Sequence, residues 1–575
     1  RCPGQTAEVL TAITDVTARV NAATEGKTGA DFVRARDAAL SAIEAEGCGA
    51  DPKKRCQVVT LHRGGQYKLY AYRRYDDVRM VFAPEHQSVI FGGDPDNFNF
   101  PRFALDAAFL RAYEDGKPAV TPNALRWNAR APRAGEPVFV AGNPGSTSRL
   151  RTASQLETER DYVLPSQIKR LSELRGRLLR FADESDENRR MTRSLIRGTE
   201  NNLKRAYGMH RALADRAFMD AKRRADTDFW MAVLQNPELN AATGDPWGEI
   251  DRAQAEVPAL FERYDWLESQ AGGGSTLFGY ARALVRAADE RAKPSGERLP
   301  EYADSRLPQV RTRVLADPRL DLPVEELLLA FWLDKTREAL GTDAPEVVAL
   351  LGRESPQALA ARLIAETRLK DRAYREAIWE GRETGADDPL IRLVRASDAA
   401  ARQARTAWTT RVDAPVDRAA ERLARARFAV HGDRVYPDAT GTLRLSWGRI
   451  EGWTEAGRTV APITTVQGLW DRATGAFPFD LAPRWAAARD RLDPTVPFTV
   501  ATTNDIIGGN SGSPLIDARG EVIGAVFDGN LQSLGGAYGY DGATNRAVAV
   551  TAAAVEHALL RIYDQPHLVA ELRRR

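Results

Sequence analysis

The period of the apolar residues changes twice along this chain, and that double change constrains the fold more than any other feature. Between residues 57 and 145 they come in short β-branched or aromatic runs, at 57–62, 67–72, 77–82 and 137–145, with 104–113 read as a further strand. Gly64-Gly65 between the first two runs is a hairpin signal. From about Thr152 to Arg427 the spacing turns helical: Ile168, Leu171, Leu174, Leu178 and Phe181 recur every three or four positions after a Pro165-Ser166 entry. Ser355-Pro356 marks another helix start, with proline at the first helical position. Past Val430 short strands return at 443–448, 498–500, 521–527 and 546–550, before a helix at 551–563. Residues 5–47 read as helical or mixed. Two β units therefore flank a helical block, and short strands at this spacing belong to barrels. The predicted domains are 1–150, 151–430 and 431–575.

Composition excludes several classes of function. Over 575 residues, Lys+Arg numbers 81 against 79 for Asp+Glu, so net charge supplies no attraction to nucleic acid or an anionic membrane. No run of about 18 apolar residues exists to span a bilayer, so no membrane insertion is expected. The six histidines are scattered and neither CxxC nor HExxH occurs, so neither a metal nor an organic cofactor is expected. Ala271-Gly272-Gly273-Gly274-Ser275 reads as a flexible joint between helices, because no Gly-Lys-Ser/Thr follows it. Of three cysteines, Cys48 and Cys56 flank a short turn; they close a small disulfide loop in an oxidising compartment or remain two thiols, and Cys2 is left over.

The stretch that carries chemistry is Gly508-Gly509-Asn510-Ser511-Gly512-Ser513-Pro514, a tight turn between two apolar runs. A serine hydroxyl needs a site for the oxyanion formed on attack, and glycine neighbours let backbone N–H groups turn inward at little steric cost. Ser511 is the candidate nucleophile, with the N–H groups of Gly509 and Ser511 aimed at one spot.

These pieces, in order, resemble the bacterial dipeptidyl-peptidase 7/11-type serine exopeptidases of the chymotrypsin clan. The matching stretches are FGGDPDNFNFPR at 91–102, Asp106, VAGNPGSTSR at 140–149, YPDATGTLRLSWG at 436–448, TTNDIIGGNSGSP at 502–514 and AVFDGN at 525–530. The resemblance implies a mixed fold, a chymotrypsin-like double β-barrel with a large α-helical lid inserted between the barrels. It implies release of dipeptides from free N-termini of oligopeptides, a periplasmic or cell-surface location, and homodimers. Asp106 matches the acid that orients the catalytic histidine, and its apolar flanks predict partial burial. Asn97 and Phe98 match the clamp on the substrate's amino terminus, where tryptophan is commoner than phenylalanine. Asn201 or Asn202 supplies a further amide from the helical block, and Asp528 a carboxylate for the ammonium group. Gly529 stands where the acidic-specific type carries arginine, which predicts an apolar residue before the cut.

The family's catalytic histidine lies in an Asn-His-His-Cys run, and this sequence has none. His62 and His86 are the only histidines before Asp106, and neither matches a functional position. The chain is therefore expected to begin downstream of its base, making it a fragment with a nucleophile and an oxyanion hole but no imidazole. The rival readings are an inactive relative that captures peptide N-termini and an endopeptidase regulated by its helical domain. A helical lid with an amine clamp obstructs the long substrate that an endopeptidase needs.

Overall fold

The computed structural model describes residues 1–27 and 29–574. Among the described residues, sixteen strands and the intervening helices follow the β-α-β order that the apolar periods predict. The first eight strands are β1 (Ala7–Asp15), β2 (Lys54–Leu61), β3 (Gln66–Tyr75), β4 (Asp77–Phe82), β5 (Phe109–Glu114), β6 (Lys117–Pro118), β7 (Arg126–Trp127) and β8 (Pro137–Gly142). The other eight follow the helical block: β9 (Arg444–Arg449), β10 (Trp453–Glu455), β11 (Arg458–Val460), β12 (Ile463–Thr465), β13 (Pro497–Thr502), β14 (Pro514–Asp517), β15 (Glu521–Gly529) and β16 (Ala547–Thr551).

The largest sheet has the order β12-β13-β16-β15-β14-β8-β9, with β7 added beside β15. It curls until its far side meets β13 again: Ile450 bridges Thr502, and the Glu451 N–H donates to the Ala501 carbonyl at 3.1 Å. Val138, Val140, Ile450, Val500, Leu515, Ile523, Val526 and Ala549 fill the interior. Two of these come from β8, so the boundary expected at residue 150 does not separate the sheets: residues 126–142 belong with the C-terminal strands.

The rest of the N-terminal region departs from the predicted half-barrel. It makes two separate three-stranded antiparallel sheets, β1-β3-β2 and β4-β5-β6. The first docks on the helix Ala414–His431 by the tip of the β2–β3 hairpin. A Cβ on Gly64 would lie 2.5 Å from Glu421 Cγ, and one on Gly65 2.6 Å from Ala424 Cβ, so the two glycines permit the close approach. The Tyr67 hydroxyl donates to Glu421 Oε1 at 2.8 Å, and Arg36 Nη1 pairs with Asp417 Oδ2 at 2.7 Å. The sheet, through Tyr67, and the helix Gly29–Cys48, through Arg36, thus share one polar seam with the helix Ala414–His431, which no apolar pattern of these segments encodes. A disulfide joins Cys48 to Cys56 at the foot of this sheet.

Helices run from Ala153 to His431. Their entries follow local chemistry: the hydroxyls of Ser185 and Ser355 accept the N–H groups of Asn188 and Ala358, each at 3.1 Å. The expected flexible joint at residues 271–275 is instead a packed turn. Gly272, Gly273 and Gly274 all have positive φ, and a Cβ on Gly273 would lie 2.7 Å from the Leu328 carbonyl. Glycine serves close packing there, and the turn ends in a buried cap where Ser275 Oγ donates to Glu325 Oε2 at 2.7 Å.

Candidate active site

Ser511 lies on the loop between β13 and β14. Gly509 has φ +107°, and a Cβ there would sit 2.6 Å from both the Asn143 carbonyl oxygen and the Gly145 nitrogen. Only glycine fits that backbone and that gap. The Gly145 N–H donates to the Gly508 carbonyl at 2.7 Å, so the turn after β8 and the serine loop pack backbone against backbone. On the other side the Gly512 N–H donates to the Val526 carbonyl at 2.7 Å, and the Val526 N–H returns to the Ser513 carbonyl at 2.9 Å. Asn510 is buried and folds back on the Ile507 carbonyl through its backbone N–H at 3.0 Å and its Nδ2 at 3.1 Å. Among the described residues the N–H groups of Gly509 and Ser511 donate to no protein acceptor. The exposed Ser511 hydroxyl lies 3.5 Å from the Phe527 carbonyl, the outer limit of a hydrogen bond.

The stretch 91–106 meets β15 at Asp528, one residue beyond the Phe527 whose carbonyl Ser511 approaches. Phe91, Phe103 and Leu105 anchor it in a core shared with Val555, Ala558 and Leu559 of the C-terminal helix. Asp96 is fully buried and paired with Arg472, which pins the turn that follows Gly92-Gly93. Phe98 adopts φ +56°, turning its N–H to Asp528 Oδ2 at 3.1 Å. Lys204 Nζ, from the helix Asp186–Ala214, holds the Asp94 carbonyl at 2.5 Å and the Asn97 carbonyl at 3.1 Å. On the same helix Asn201 Oδ1 accepts from Asn97 Nδ2 at 3.0 Å. Asn202 points elsewhere: it is exposed, with Arg205 Nη1 at 3.5 Å. Of the two asparagines, Asn201 is the one that meets Asn97.

Asp528 is buried where β15 bulges. It accepts from the Gly529 N–H at 2.8 Å and the Phe98 N–H at 3.1 Å, and Arg102 Nε stands 3.6 Å from its Oδ2. Burial disfavours its charged form and pushes its pKa up to about 6, against the pull of Arg102 and the two N–H groups. Gly529 borders Ser533: a Cβ there would lie 2.4 Å from the Ser533 hydroxyl, which donates to the Asn530 carbonyl at 2.6 Å. Any larger residue at 529 must displace that serine.

Asp106 departs from its expected setting. It precedes β5 instead of lying within a strand, and its side chain is exposed although Ala104 and Leu105 are buried. The pairing of β4 with β5 starts only at Phe109, so the chain at 104–108 follows the core and not a ladder. Protein crowded around its carboxyl raises its pKa, while Arg102 and Arg197 oppose the rise. The histidines near it in sequence are otherwise engaged. His62 is packed edge-on against Phe428, and His86 Nε2 lies 2.7 Å from Arg197 Nη1. Arginine can only donate, so that contact occupies the His86 lone pair, and burial with Arg197 lowers its pKa. Sequence reasoning missed three cations, Arg102, Arg197 and Lys204. Arg102 stood within the 91–102 match, and the other two carried no signal beyond helical spacing. Among the described residues no group of three or more His, Cys, Asp or Glu side chains is arranged to hold a metal, and no helix is long and apolar enough to cross a membrane.

Ser511 thus stands exposed on a glycine turn of the curled antiparallel sheet, with Arg205 of the helix Asp186–Ala214 close to Gly508. The chain belongs to the peptidase S46 family, whose model matches residues 1–574. An Asp/Glu-specific dipeptidyl-peptidase of Shewanella putrefaciens is 28% identical over 92% of this chain and 78% of its own length. Dipeptidyl-peptidase 7 of Porphyromonas gingivalis is 26% identical over 99% of this chain and 83% of its own length. The crystal structure of Porphyromonas endodontalis DPP11 in complex with the dipeptide Arg-Glu superposes with a TM-score of 0.82 at 22% identity, covering 100% of this chain and 86% of that one. That likeness extends to the mixed α/β architecture with its large helical part.

Proposed function

We propose that this chain is a dipeptidyl aminopeptidase that takes oligopeptides by their free N-terminus. The observation that carries the reading is the buried Asp528 beside the Asn97–Asn201 pair, one β-loop away from Ser511. A carboxylate held by two N–H groups in a dry pocket gains most from an ammonium ion, and an acetylated terminus offers none. Ser511 is the nucleophile, the Gly509 and Ser511 N–H groups stabilise the oxyanion, and Asp106 orients the base. Neither His62, packed on Phe428, nor His86, held by Arg197, is placed as that base. Phe98 walls the amine subsite, and Gly529 leaves the pocket for the residue before the cut without a charge, favouring apolar side chains.

The exposed Asp106, with no described imidazole partner, supports a second reading, a peptide-binding relative that has lost its chemistry. The test compares free and N-acetylated tetrapeptides. Binding of the free peptide at least about tenfold tighter supports the clamp in either reading. Equal affinity sinks it. Dipeptide release from the free tetrapeptide, against binding without turnover, separates enzyme from binder. Replacing the P1 alanine by leucine and by glutamate checks the pocket, and a preference for glutamate would refute the apolar assignment.

A further inference from the structure

Arg102 is the most unusual charge in the cleft. Its side chain is buried, yet Nε and Nη1 find no hydrogen-bond acceptor, and Nε stops 3.6 Å from Asp528 Oδ2, too far to donate. Its position is held by other means. The Arg102 carbonyl accepts from Thr499 Oγ1 at 2.7 Å, Phe103 beside it is core, and the guanidinium lies 5.9 Å from the centre of the Phe527 ring. Buried charged donors without an acceptor are rare in folded proteins, and a cleft that keeps them is set up for an acceptor arriving with a ligand.

We propose that Arg102 is a substrate-binding residue whose Nε N–H donates to the carbonyl oxygen of the substrate's first peptide bond, beside the ammonium group held by Asp528. The inference rests on the amine clamp proposed above and adds its second half. In any peptide the α-nitrogen and the carbonyl oxygen of the same residue lie roughly 2.7–3.6 Å apart, a span set by backbone dimensions and ψ. Arg102 Nε stands at a comparable distance from the Asp528 oxygen that faces the ammonium. A ligand with both groups satisfies carboxylate and guanidinium together, whereas a simple amine satisfies only the first. Asp528 thereby selects a free terminus, and Arg102 selects that the terminus belong to a peptide.

Calorimetric titration of the whole chain tests this with three ligands: a tetrapeptide, its analogue with the first amide replaced by an (E)-alkene, and its N-acetylated form. Hydrogen bonds to charged donors predict that the alkene binds the wild type roughly 10- to 100-fold more weakly than the amide. In Arg102→Met the amide and alkene should bind within about twofold of each other, and Arg102→Lys should restore part of the difference. Equal affinity for amide and alkene in the wild type overturns the inference and needs no variant to fold. An equal loss in wild type and Arg102→Met overturns it as well. If acetylation costs nothing while the alkene is still penalised, the clamp fails and Arg102 stands. Absence of binding by all three ligands overturns both.

Discussion

Lowering the pH from neutral to mildly acid perturbs the amine clamp without altering a residue. The carboxyl of Asp528 has its pKa pushed up to about 6 by burial. Such a group is roughly 90% ionised at about pH 7 and roughly 10% ionised at about pH 5. A peptide's α-amino group, with a pKa of about 8, is mostly protonated at both. Affinity for a free N-terminus should therefore fall about tenfold across that window, or about 1.4 kcal/mol. The ionised carboxylate is the binding form, so binding is lost as the pH falls through 6. Stability runs in the opposite sense. The folded pKa lies above the unfolded 3.8, so Asp528 favours the fold in its protonated form, and that contribution is lost as the pH rises from 3.8 through about 6. Ionised Asp528 thus costs the empty protein on the order of 2–3 kcal/mol at neutral pH. Asp528→Asn should recover part of this in chemical denaturation while binding a free peptide about 100-fold more weakly, with no slope in pH. The assay is fluorescence anisotropy of a tetrapeptide labelled at its C-terminus, with the N-acetylated peptide as a pH-insensitive control. An affinity that stays flat from neutral to acid pH, or a slope that persists in Asp528→Asn, would refute the reasoning.

Other perturbations separate the parts of the site from its scaffold. Gly509→Ala places a methyl 2.6 Å from two backbone atoms at φ +107°, and should cost about 2–4 kcal/mol in denaturant unfolding. Asn201→Ala frees the Asn97 amide, and should weaken free peptides about tenfold while leaving acetylated ones unchanged in the same anisotropy assay. Tyr67→Phe leaves Glu421 without its donor at the seam between the N-terminal sheet and the helix Ala414–His431; a loss of about 1–3 kcal/mol is expected by denaturation. Opening the Cys48–Cys56 loop by Cys48→Ala should cost about 2–3 kcal/mol through the restored freedom of the unfolded chain, read from the shift in unfolding midpoint.

What was legible in the sequence is what short stretches decide. Ile168 through Phe181 spell a helix because i, i+3 and i+4 side chains share a face, and 521–527 spell a strand because β-branched residues fit a pleat. The serine turn was readable for the same reason: Gly509 needs a positive φ and has no room for a side chain, and both are properties of a few consecutive residues. Asp106 was misread at this level. Its apolar neighbours predicted a strand with partial burial, but the ladder begins at Phe109 and Asp106 is an exposed residue with protein on one side of its carboxyl.

The sequence by itself determined the β-α-β order, the helix entry at Ser355, and the loop that carries Ser511. Only the tertiary structure decided which distant pieces meet. It placed β8 among the C-terminal strands, set the hairpin of β2 and β3 on the helix Ala414–His431, and brought Asn97 to Asn201 and Phe98 to Asp528. It also buried Arg102 without an acceptor, which no pattern of neighbours announces. The physical reason is range. Dihedral preference and apolar period act over a few residues, whereas pairing across hundreds of residues is settled by which contacts bury the most apolar surface with their polar groups satisfied, a property of the whole chain at once.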